Sequence, residues 1–328
     1  MEIQNSPNLK TQKGFSLIEL LIAIPIGLLV MFAVLRIFTA NIHGVSIQNS
    51  FSRVQENGRM AVELMTRDIR SADYWGCVNN IDSITNDLDS SDADYDADLV
   101  PNGQQGITGE NDVSSTTIED LDDSTEYEVK DNTDTLTLWG SKSFPNAKIK
   151  SDMSSTSDDI SFTTGSGVSE GDMLVIADCE NIDLFTNTSS TDGTIKHGIS
   201  SSSGINNSTD VLSQTYETNA VILAPHVKTY FISDNSADSY SLYRRYDGAV
   251  SELIRGVNDL QILYGEDTTD NGSADTYSNA DNVNDMDDVV TVRVSITSDS
   301  GSDDATSSAT SLERTYTATT NIRNRSLD

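Results

Sequence analysis

One segment near the amino terminus limits what the rest of this chain can be: the run that follows the glycine of Lys13-Gly14-Phe15-Ser16-Leu17-Ile18-Glu19-Leu20. From Phe15 to Thr39, 25 residues carry only two charges, Glu19 and Arg36. Coiled at about 1.5 Å per residue, the run is ~38 Å long, enough to cross a ~30 Å hydrocarbon core with some tilt. A cleaved secretory signal has an apolar core of about 7–15 residues with a small-residue cleavage site behind it. Here the small residue, Gly14, precedes the apolar run and follows two lysines, Lys10 and Lys13. A cut at Gly14 would leave the apolar segment on the mature chain.

Glu19 is the second constraint. A carboxylate near the middle of a membrane helix costs roughly 2.5–3.5 kcal/mol on insertion scales, which makes it a functional candidate by default. The competing reading is that Glu19 lies within a turn of the helix end and reaches the headgroups. Taken together, Lys13–Ala23 resembles the class III leader and helix start of type IV pilins and pseudopilins. The resemblance implies a leader over 1–14, cut after Gly14 by a prepilin peptidase, with N-methylation of the new terminus at Phe15. It also implies that Glu19 pairs with a subunit's terminal amine during assembly, and that other minor and major pilins bind through this helix. The expected location is the bacterial inner membrane, single-pass with the domain in the periplasm, and then the fibre.

Charge is spread unevenly along the 328 residues. Residues 1–80 carry six acids and seven bases; residues 81–328 carry 46 acids and 13 bases, a net of −33 within the chain's −32. Such a domain repels phosphate backbones, so nucleic acid is not an expected partner. The acidity suits an exposed surface in salty surroundings or one that binds divalent cations, and composition does not separate the two. Only Cys77 and Cys179 are cysteines, and His43, His197 and His226 are scattered, so zinc or haem ligation has no support. If the helix anchors the domain outside the cytoplasm, the compartment is oxidising and a Cys77–Cys179 disulfide follows; two buried thiols are the alternative.

Beyond Arg36 the pattern stays helical and becomes amphipathic. Ile47, Phe51, Val54, Gly58, Ala61, Met65, Ile69 and Ala72 recur at spacings that place them on one face. A helix from near Phe15 to about Ser71 is predicted, with Pro25 and Gly27 kinking or opening its first half. From Ile81 to Asp134, seventeen acids and one lysine read as polar and weakly ordered. Strands are predicted at Asp134–Trp139, Asp172–Asp178, Val221–Ile232, Ser241–Tyr246, Leu260–Tyr264, Val289–Thr297 and Thr315–Ile322, with loops between them at 186–193, 200–209 and 298–311.

Further blocks narrow the resemblance. Gln55–Arg59 and Asp68–Cys77 are similar to the end of the long helix in PilW-type minor pilins. Gly171–Cys179 resembles the strand carrying that group's second cysteine, and Ser241–Arg245, Leu253–Gly265 and Asn321–Arg325 resemble its carboxy-terminal core. J-type minor pseudopilins of type II secretion share part of the Leu253–Gly265 pattern. Residues 81–132 and 186–215 resemble nothing named.

Asp267–Asp275 spaces oxygen ligands around Gly272, which suits a cation of about six to eight ligands. Asp267, Asp270, Asn271 and Asp275 are the candidate calcium ligands. Thr269 fills the second ligand slot and Ser278 the place of the closing glutamate, so an acidic hairpin turn competes with that reading. No other cofactor is expected. G-x-S-x-G, H-E-x-x-H and the P-loop are absent from the sequence, and no enzyme is expected.

The sequence therefore predicts an α+β, type IV pilin-like fold. Residues 15–40 form the transmembrane or fibre-core half of the helix, 41–76 its amphipathic half, and 77–328 an acidic β-rich globular domain. The expected function is that of a structural minor pilin in type IV pilus assembly, priming or tip formation. A type II secretion pseudopilin and a tip-displayed, adhesin-like binding module are the alternatives.

Overall fold

The computed structural model describes residues 14, 16–77, 84–101, 106–235, 239–300 and 312–325. The chain divides after Ser52 into two compact units, although one 55-residue helix, α1 (Leu17–Ser71), contributes to both. Lys10, Lys13 and Phe15 lie outside the described residues.

In the first unit α1 is unbroken across Pro25, so the expected opening does not form. The proline withholds one N–H from the helical ladder while its neighbours keep theirs. Every large apolar side chain from Leu17 to Phe38 is exposed, and the segment is long and apolar enough to cross a membrane.

In the second unit α1 buries one stripe. Val54, Ala61, Met65, Ile69 and Ala72 are at most 3% exposed. The predicted stripe is thus shorter than its periodicity suggested, because Ile47 and Phe51 are exposed.

Sixteen strands accompany it among the described residues. The first six are β1 (Ile84–Asn86), β2 (Ile107–Glu110), β3 (Thr117–Asp120), β4 (Thr125–Glu128), β5 (Thr135–Ser143) and β6 (Ile160–Ser161). Then come β7 (Met173–Ala177), β8 (Ile182–Thr186), β9 (Thr194–Ile195), β10 (Val221–Asn235) and β11 (Ser239–Tyr246). The last five are β12 (Ala249–Arg255), β13 (Val257–Glu266), β14 (Thr276–Ser278), β15 (Val289–Asp299) and β16 (Glu313–Asn321).

The larger sheet has eight strands, in the order β1-β8-β7-β10-β11-β12, with β5 and then β2 on the other edge of β10. The smaller is ordered β14-β13-β15-β16. All seven predicted strand blocks are present. The alternation along β15 holds, with Val292, Val294 and Ile296 buried while Arg293 and Ser295 are half-buried.

The main core lies where the α1 stripe meets both sheets. Leu136, Leu138, Tyr230, Ile232 and Leu242 come from the larger sheet, and Leu260, Ile262, Tyr264, Val292, Val294 and Ile296 from the smaller. Approach is closest at Gly58, where a Cβ would stand 2.2 Å from Cδ2 of Tyr316 on β16. Asn57 alongside donates to the Arg255 carbonyl at 2.8 Å.

The acidic stretch corrects an expectation. Its described part is folded, with Val100, Ile107, Val113, Ile118 and Val129 buried. Many of its acids serve as turn acceptors two residues back: Asp89 for the Ser91 amide, Asp92 for Asp94, Asp96 for Asp98, and Asp120 for Asp122. Aspartates that bond the backbone two residues on fix turns without needing a core of their own.

Candidate functional site

Two sets of residues carry the chemistry, one at each end of α1. At its start, Ser16 is the residue before the first helical turn, and its carbonyl accepts from the amides of Glu19 (3.0 Å) and Leu20 (3.2 Å). Glu19 Oε2 in return accepts from the Ser16 amide at 3.0 Å. Glu19 thus makes the glutamate half of a Ser-x-x-Glu capping box, satisfying one backbone donor that a helix start leaves open, while the bonds to the Ser16 carbonyl are those of the first turn. The sequence held that signal, but it was read only as charge. Glu19 Oε1 has no partner among the described residues.

At the far end, α1 stops because Asp73 turns left-handed, with φ of 61°. A non-glycine residue there is unfavourable unless its surroundings hold it. The Asp73 amide donates to the Trp139 carbonyl at 2.7 Å. Its carboxylate accepts from Trp75 Nε1 at 2.9 Å and from Arg325 Nε at 2.5 Å. The Arg325 and Asp73 side chains are 6% and 2% exposed. Asn324 adds a bond from its amide to the Ala72 carbonyl at 2.7 Å, filling an acceptor at the helix end. Cys77 then bonds Cys179 just past β7, with 4.9 Å between Cα atoms across 102 residues.

One turn back, Asp68 sits on the buried face of α1. It accepts from the Tyr230 hydroxyl at 2.5 Å, and Lys228 Nζ and Arg244 Nη1 lie 3.3 and 3.7 Å away. Burial, then the Asp68 hydrogen bond, pushes the Tyr230 phenol well above its ordinary range. A cleft of about 520 Å³ opens here, lined by Arg67, Arg70, His226, Lys228 and Arg323. Burial, then Lys228 and Lys142, holds His226 down at about 4, so its ring is neutral at pH 7. Asp68, Asp73, Arg244 and Arg325 stood in the sequence blocks without assigned roles. The readable signal was an acid on the apolar stripe: Asp68 is three residues after Met65 and four before Ala72.

The calcium candidates are placed differently. Asp267 accepts from the amides of Thr269 (3.2 Å), Asn271 (3.2 Å) and Gly272 (2.6 Å). Asp275 accepts from the hydroxyls of Thr268 and Thr269, each at 3.0 Å. Asn271 accepts from the Ser273 amide at 3.0 Å, and Asp270 is in a left-handed turn with φ of 55°. Among the described residues no three of His, Cys, Asp or Glu gather to hold a metal. The loop between β13 and β14 is a self-bonded acidic turn.

Comparison with known families gives two matches. Residues 9–35 match the prokaryotic N-terminal methylation motif. Residues 229–326 match the type IV pilus-assembly protein W family. These two matches support a type IV pilin-like protein of the PilW type. The PilW match runs from Thr229 in β10 through β16 and so takes in Tyr230, Arg244 and Arg325, three of the residues that hold the helix end. It does not reach the resembling blocks at 55–77 and 171–179. No curated protein and no solved structure matches the chain.

Proposed function

We propose that this PilW-type chain is a minor pilin, held first in the inner membrane and then passed into a type IV pilus, where it takes part in assembly, priming or tip formation. The observation that carries the reading is the union in one chain of the methylation motif over 9–35 and the PilW match over 229–326. In this reading a prepilin peptidase cuts after Gly14 and Phe15 is methylated. The exposed apolar surface of Leu17–Phe38 contacts lipid first and neighbouring pilin helices later. Close packing rather than water exclusion drives that exchange, since lipid tails are as apolar as the side chains.

Glu19 then serves twice. Oε2 caps its own helix, and Oε1 is open to the terminal amine of a neighbouring subunit. Neither charge is cheap in an apolar bundle, and each is the natural partner of the other. Glu19→Gln separates the two roles, because glutamine also completes a capping box but carries no charge. Glu19→Gln, Glu19→Ala and Glu19→Val should all insert and be cleaved, yet co-purify poorly with partner pilins. Wild-type recovery of the glutamine variant would reduce Glu19 to a cap and remove the pairing.

A further inference from the structure

On the face of the larger sheet turned away from α1, four adjacent strands carry a polar row. Thr108 of β2 pairs directly with Thr137 of β5, Thr137 with Thr229 of β10, and Thr229 with Arg245 of β11. Directly paired positions project to the same side of a sheet, so three hydroxyls and a guanidinium stand in line. The alternate residues Leu136, Leu138 and Tyr230 face the helix.

This row lies in a half-open cleft. It lines a cavity of about 550 Å³, with Asp98 and Thr117 contributed by the acidic stretch and Trp139 by β5. Such a volume falls within the range of about 300–1,000 Å³ typical of small-molecule sites. Arg245 is 8% exposed, and its Nε is buried without a hydrogen-bond partner. Its Nη2 lies 3.7 Å from Asp98. The Thr137 and Thr229 hydroxyls bond each other at 3.1 Å, and a hydroxyl so engaged keeps further capacity. The Trp139 indole N–H takes no partner among the described residues.

We infer that this cavity binds a short neutral saccharide. Sugar hydroxyls both donate and accept, which matches threonines, a carboxylate and a guanidinium set side by side. Phosphate or a polyanion is disfavoured by Asp98 and Glu110 in the lining and by the chain's net charge of −32. An apolar ligand would strand the hydroxyls. The inference is independent of the pilus role.

The chain has two tryptophans, Trp75 and Trp139, packed in one apolar cluster, so a Trp75→Phe background is used to make fluorescence report on Trp139 alone. Full-length protein in detergent would be titrated with glucose, galactose, mannose, N-acetylglucosamine and their disaccharides, read by tryptophan fluorescence and by saturation-transfer NMR. At least one sugar should saturate both signals. The shape-preserving pair Thr137→Val with Thr229→Val should weaken it about tenfold or more. Thr108→Val, at the partly exposed end of the row, should weaken it too, with unchanged melting. Saturation by no member of the panel, binding untouched by both variants in folded protein, or a preference for inorganic phosphate or glucuronate would overturn the assignment.

Discussion

Asp73 at the end of α1 and Arg325 near the carboxy terminus meet in a buried ion pair, Nε to Oδ2 2.5 Å, across 252 residues. The end of α1 is thereby tied to the carboxy-terminal segment, and the left-handed turn that ends the helix is held by the same carboxylate. Removing Arg325 leaves the buried Asp73 carboxylate without its cation, and removing Asp73 leaves Arg325 only the half-buried Asp287 carboxylate, at 3.7 Å. Arg325→Ala or Asp73→Ala should each destabilise the protein by about 3–5 kcal/mol, and the double variant should cost clearly less than the sum. Urea unfolding of the three variants checks this; strictly additive losses would mean the pair is not coupled.

Gly58 gives a sharper steric test. Alanine is a better helix former than glycine by about 1 kcal/mol, so propensity alone predicts that Gly58→Ala stabilises. The Tyr316 ring stands where the new methyl would go, at 2.2 Å. Overpacking of about 1–3 kcal/mol should win, giving a lower melting temperature, and Gly58→Ala combined with Tyr316→Leu should recover most of it.

Asp87 should make stability depend on pH. Burial, then the charge of Asp183, raises its carboxyl from 3.8 to about 7, and Asp87 Oδ2 and Asp183 Oδ1 are buried without hydrogen-bond partners. The folded protein therefore holds this proton more tightly than the unfolded chain does. The stabilisation is fully present below about pH 4 and is lost as pH rises through about 7. Asp87→Asn should flatten that part of the profile and raise stability at pH 8 by up to a few kcal/mol. Thermal melts across this range provide the check, and parallel profiles for the two proteins would contradict it.

The long helix and the seven strand blocks were legible because each repeats apolar residues at its own period, as Met65-Ile69-Ala72 and Val292-Val294-Ile296 do. Ile182–Thr186 escaped because all five of its residues are buried, which leaves no alternation to read. The acidic stretch was misread because its buried residues, such as Val113 and Ile118, come singly among acids that act as turn acceptors. At the site, the leader, Glu19 and the two cysteines could be read locally. The cluster of Asp68 with Lys228, Tyr230 and Arg244 could not, since its members come together only through tertiary folding, Asp68 and Tyr230 being 162 residues apart.

Mass spectrometry of the mature amino terminus tests the central claim most directly. A minor pilin with the methylation motif at 9–35 should begin at Phe15, carry one methyl group on its terminal nitrogen and keep the whole apolar helix. A mature terminus beyond Thr39 would mean an ordinary secretory signal, and an uncut chain still beginning at Met1 would mean a plain membrane anchor. Either result would contradict the pilin account.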